Sequence, residues 1–101
     1  MKLPLILREE ADIDLSDAAC WYEERVFGLG AEFIKSVDDC FQVISKNPEM
    51  YPVVHRQARM ALTRKFPYLV IYRILPDCIS VVAVMHGSLH PRHWKSRGSL
   101  N

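Results

Sequence analysis

No apolar run in this 101-residue chain approaches the ~18 residues needed to cross a bilayer. The short apolar start, Leu3 to Leu7, turns charged at Arg8-Glu9-Glu10 with no small-residue cleavage site after it, so neither a signal peptide nor membrane association is expected. Cysteine is scarce. Cys20, Cys40 and Cys78 are odd in number, widely spaced and without a C-x-x-C pair, which excludes a disulfide scaffold and suits a reduced, cytoplasmic protein. Four glycines and six prolines are too few for collagen or a disordered tract. No P-loop or G-x-S-x-G appears. Gly28-Leu29-Gly30 lacks the rest of a dinucleotide fingerprint and follows a helical pattern, so it reads as a turn.

Acidic residues are nearly missing from the second half. Residues 55–101 hold eight Lys/Arg against Asp77 alone, a net of +7, whereas residues 1–54 hold five against eleven, a net of −6. Such asymmetry points to one face built for an anionic partner, nucleic acid or an acidic protein segment, or to two halves that neutralise each other. With half its residues apolar, a chain of this length forms one domain over residues 1–101, burying roughly 65% of its unfolded surface.

The order of elements follows from periodicity and punctuation. Leu3 to Leu7 suits one strand. From about Glu10 to Phe27, Ala11, Leu15, Ala18, Tyr22 and Val26 recur at helical spacing, with acidic residues in the first turns where the helix dipole favours them. Gly28-Leu29-Gly30 ends this helix. A second runs from about Ala31 to Lys46 on a stripe of Phe33, Val37, Phe41 and Ile44, and Asn47-Pro48 stops it. Three strands follow: Arg59 to Lys65, Tyr68 to Leu75, and the almost wholly apolar Ile79 to His86, which should be central and covered on both faces. Pro76-Asp77 supplies the hairpin turn. The expected fold is α+β: an N-terminal strand, a helical hairpin, then a three-stranded antiparallel meander, with a charged tail from Pro91 to Arg97.

Several groups invite a functional reading. His86, His90 and His93 have metal-like spacing, but no cysteine or carboxylate lies beside them and Pro91 breaks any helix that would align them, so no metal or other cofactor is expected. A helix-turn-helix reader of DNA is excluded by the acidic hairpin, which repels phosphates; any nucleic acid would meet the sheet and tail. Trp94, between Arg92 and Lys95 and near Arg97, either stacks on a partner or folds back onto the core. Arg73 lies in an apolar strand and reads as structural, while Arg56, Arg59 and Arg64 are candidates for a partner surface.

An ordered set of residues then carries a resemblance over some ninety positions: Glu10-Ala11, Asp14-Leu15, Trp21-Tyr22-Glu23, Gly28-Leu29-Gly30 with Phe33, Asn47-Pro48-Glu49 and Tyr51-Pro52. It continues through Arg64, Phe66-Pro67-Tyr68, Tyr72-Arg73, Ala83-Val84-Met85-His86-Gly87 and Pro91-Arg92 with Trp94. The chain resembles the RelE/ParE superfamily of bacterial type II toxins, especially the ParE-like, plasmid-stabilisation branch. That resemblance implies a toxin neutralised by a cognate antitoxin. RelE-like members cut messenger RNA on the ribosome, whereas ParE-like members poison DNA gyrase without a recognised catalytic site. The RelE-like pattern places arginines at positions that here are Leu69 and Ser88-Leu89, and many ParE-like relatives also carry arginines at the latter pair. A leucine can neither hold phosphate nor stabilise developing charge. The resemblance therefore implies a ParE-like gyrase inhibitor, and the basic second half of the chain supplies Arg56, Arg59, Arg64, Arg92, Trp94 and Arg97 as the candidate target- or partner-binding residues. The alternatives are a messenger RNA endonuclease acting through Arg64, Arg73 and His86, and a family member that has lost toxicity.

Overall fold

The computed structural model describes residues 3–98. Strand β1 (Leu5–Leu7) leads into helix α1 (Glu9–Arg25), whose first turn holds Glu9, Glu10 and Asp12 at the positive end of its dipole. Gly28 then takes a left-handed φ of 86°, a conformation that glycine adopts without strain, and reverses the chain into helix α2 (Leu29–Lys46). The turn is shorter than the sequence suggests, because Leu29 and Gly30 already belong to α2. Glu23 of α1 supplies the missing cap: its carboxylate accepts hydrogen bonds from the backbone N–H of Gly28 and of Gly30, both at 2.9 Å. Gly30 also marks the closest approach of the two helices, since a Cβ there would sit 2.6 Å from the Ala19 carbonyl oxygen.

After Asn47-Pro48 come strands β2 (Val53–His55), β3 (Ala58–Leu62), β4 (Tyr68–Ile74) and β5 (Ile79–His86), then helix α3 (Arg92–Gly98). They form one five-stranded sheet in the order β1-β5-β4-β3-β2. β1 runs parallel to β5, and the other pairs are antiparallel. The expected α+β architecture is present, with two additions: β2, and a helix where a charged tail was expected. Neither has a sequence period, because three residues are too few to show alternation and seven barely make two turns.

The sheet has two covered faces. α1 and α2 lie over one, where Ala11, Phe33, Val37 and Ile44 meet Val70, Tyr72, Ile79, Val81 and Val84, all at most 1% exposed. The Tyr72 hydroxyl crosses this core to donate to the Pro48 carbonyl at 2.6 Å, tying the end of α2 to β4. α3 covers part of the other face through Trp94, packed with Ala58, Ile71, Val82, Ala83 and Met85. β5 lies between β1 and β4 and is buried on both sides from Ile79 to Met85, as its continuous apolar run implies.

Candidate functional site

The decisive local feature is a bulge in β5. Tyr72 pairs with Val81 and Ile71 with Ala83, which leaves Val82 as an extra residue. Side chains alternate along a strand, so one extra residue shifts everything beyond it to the opposite face. Ile79 and Val81 face the helix pair before the bulge; after it Val84 does so, while Val82, Ala83 and Met85 face α3. The bulge thus brings His86 to the helix side, where its ring meets Tyr68 edge-on at 5.4 Å.

There an open cleft of about 460 Å³ lies between α1 and the end of β5, lined by Asp17, Trp21, Tyr22, Tyr68, His86 and Leu89. Trp21 and Leu89 are about half exposed at its rim. The Arg25 guanidinium sits 3.7 Å from the Trp21 ring centroid. Burial, with Tyr22 and the Asp14 carboxylate beside it, holds the Tyr68 phenol above its ordinary pKa. His86 Nδ1 accepts the Ser88 backbone N–H at 3.0 Å, which leaves Nε2 to carry the ring proton.

At the floor of the cleft β1 has already ended, its last pairing being Leu7 with Val81. Asp14 takes over the open edge of β5. Its Oδ2 accepts the Val84 backbone N–H at 3.1 Å and a hydrogen bond from Arg97 at 2.6 Å. The Asp14 and Arg97 side chains are 15% and 21% exposed, so this ion pair is largely shielded from water. Arg97 also reaches the Val82 carbonyl at 3.4 Å. An α1 carboxylate and an α3 guanidinium together finish the sheet where β1 stops.

The residues singled out from sequence do not gather at one place. Arg97, expected at a target surface, is held in that ion pair. Trp94, likewise expected there, is 4% exposed and packed against the sheet, the fold-back alternative. Arg59 donates to the Tyr51 carbonyl at 2.6 Å and to Glu49 at 3.1 Å, clamping the loop before β2. Arg56 and Arg92 are exposed. Arg64 is exposed beside a second cleft, between α2 and β3, that includes Cys40, Tyr51 and Leu62, and its carbonyl accepts the Ser36 hydroxyl.

Nor does the nuclease trio assemble. Tyr68 pairs with His86 at one end of β4, and Arg73 pairs with Ser80 near the other. Arg73 lies five positions beyond Tyr68, ~17 Å along the strand. Arg73 follows Ile71 in the alternation, so it lies on the α3 side of the sheet, whereas His86 faces α1. Leu69 is half-buried, opposite Met85 and against the core under α3.

A family model described as the ParE toxin of the type II toxin–antitoxin system parDE matches residues 5–90. The chain belongs to the ParE toxin family. Its fold agrees with a solved structure, the chromosomal ParDE toxin–antitoxin system from P. aeruginosa, at a TM-score of 0.63 and 15% identity over 84% of this chain and 96% of that one. No curated protein matches it. Within this ParE fold, sequence reasoning had named His86 but not Asp14 or Trp21 as site residues. Both stand in the motifs that carried the resemblance, but only the bulge and the early end of β1 make them neighbours. No helix among the described residues is long and apolar enough to cross a membrane.

Proposed function

We propose that this ParE-family chain is a binding toxin that inhibits DNA gyrase and is released from action by its cognate antitoxin. The dispersal of Arg64, Arg73 and His86 over both faces and both ends of the sheet carries this reading. Cleavage of RNA through the 2′-hydroxyl needs a base, an acid and a phosphate-holding cation around one reacting phosphorus. Leu69 supports the same reading, because a side chain packed against the core offers no cation where an RNA-cutting relative would carry one. What the fold presents instead are recognition features: half-exposed Trp21 and Leu89 beside the open end of β5, and a second cleft with exposed Met50 and Leu62 beside β3. Apolar anchors flanking strand edges suit the seating of an antitoxin segment.

The test sets two assays side by side. Purified protein should stall supercoiling by gyrase and leave messenger RNA on programmed ribosomes intact, and added antitoxin should restore supercoiling. Codon-positioned RNA cuts with supercoiling unaffected would reverse the assignment.

A further inference from the structure

The charge asymmetry of the sequence becomes an asymmetry of faces. α1 and α2 together carry ten Asp/Glu and three Lys/Arg, and they cover one side of the sheet. On the other side, around α3, the surface is cationic. Arg92 and His93 are exposed on α3, Lys95 is half-exposed, and Arg56 is exposed in the turn between β2 and β3. Arg92 and Lys95, three residues apart on α3, share one patch with Arg56, and Glu49 lines the cleft at the Arg56 margin. The His55 ring lies 6.0 Å from that of Trp94, and partial burial, then the positive charges of Lys95 and Arg56, hold its imidazole below the ordinary pKa. Arg73 sits half-buried on the same face. Asp77, in the β4–β5 turn, is the one acidic residue from 55 to 98.

Arg56 adds a second, independent sign. Its φ of 52° is left-handed, a position that Gly or Asn fills with less strain. A cation is thus kept at a corner where the backbone disfavours it, and such strain concentrates at functional positions.

We propose that this α3 face binds the phosphate backbone of duplex DNA, with Arg56, Arg92 and Lys95 as the phosphate contacts. The choice of DNA over an acidic protein rests on what the patch lacks. Protein interfaces are anchored by apolar and aromatic side chains, yet Trp94, Met85, Ile71 and Ala58 beneath these cations are all at most 8% exposed. The most exposed apolar residues, Phe27 at 97% and Val26 at the hairpin tip, with Met50 and Leu62 at the second cleft, lie elsewhere; at the margins of this face Ile6 of β1 and Val53 and Val54 of β2 are about half exposed, and none of them is aromatic. Phosphate contacts need only cations and geometry. The acidic helix pair would point away from the duplex.

The proposal goes beyond the gyrase reading and is tested without gyrase, so either can fail alone. Fluorescence anisotropy of a labelled duplex of ~20 bp should show binding at low salt, with an affinity that falls with a log–log salt slope of about −2.7 for three phosphate contacts. Between ~50 and ~200 mM salt that is a loss of about 40-fold. Arg56→Glu, Arg92→Glu and Lys95→Glu should each reduce the slope by about 1 while thermal melting is unchanged, and Lys35→Glu on the helix pair should alter nothing. The proposal fails if no binding appears at ~100 µM protein and low salt, or if the Arg92→Glu/Lys95→Glu double variant keeps the full slope. It also fails if poly-glutamate displaces the duplex at equal charge concentration, since the face would then serve acidic protein segments.

Discussion

Replacing Asp14 with alanine removes the carboxylate that closes the free edge of β5. Two losses combine: the Arg97 guanidinium, 21% exposed, is left without its counter-ion, and the Val84 N–H loses its acceptor. Breaking a fully buried pair from one side costs ~3–5 kcal/mol, and the residual exposure of both partners scales this to ~2–3 kcal/mol. For a chain of this length that is a fall in Tm of roughly 10–15 °C. Asp14→Asn keeps an acceptor for Val84 and should lose about half as much. Urea unfolding measures it, with the midpoint moving and the slope m unchanged. A double-mutant cycle with Arg97→Ala should give a coupling of ~1–2 kcal/mol. A loss below ~0.5 kcal/mol for Asp14→Ala, or strict additivity in the cycle, would refute the view that this pair finishes the sheet.

Trp94→Ala should destabilise by ~3–5 kcal/mol, because its indole fills the core beneath α3; a melting temperature equal to the parent's would place the side chain at the surface instead. Gly30→Ala should cost ~1–3 kcal/mol by forcing the helices apart at the Ala19 carbonyl, measurable as a fall in the urea midpoint. Burial lifts the Cys40 thiol from 9.0 to about 11 and the Tyr72 phenol from 10.0 to about 12. The unfolded chain therefore loses these protons first, so stability should fall as pH rises from ~9 to ~12, and a flat urea midpoint across that range would contradict it. At pH ~8 a thiol reagent should modify exposed Cys20 long before Cys40.

The two helical stripes were legible in sequence because burial of one helix face writes a period into the chain: Ala11, Ala18, Phe33, Val37, Phe41 and Ile44 are all core. Val26, read as part of the first stripe, is exposed, since helix α1 ends at Arg25. The bulge at Val82 could not be read. A strand buried on both faces is apolar throughout, so a shift in alternation leaves no mark on its composition. That hidden shift decides which residues join His86, and for this reason Asp14 and Tyr68 escaped notice as its neighbours. The second-half cations were equally visible as a group, yet Arg59, Arg97, Arg56 and Arg92 differ in fate. Arg59 and Arg97 find carbonyl and carboxylate partners within the fold, and only three-dimensional proximity supplies those.

The central claim, that this ParE-family toxin acts by binding gyrase rather than by catalysis, has a stoichiometric signature. Supercoiling should be titrated with toxin at several gyrase concentrations, all above the dissociation constant. A binding inhibitor gives a midpoint that rises in proportion to gyrase, and His86→Ala leaves the midpoint in place. Supercoiling untouched at a large excess of toxin, together with messenger RNA destroyed by far less than one toxin per transcript, would contradict the claim.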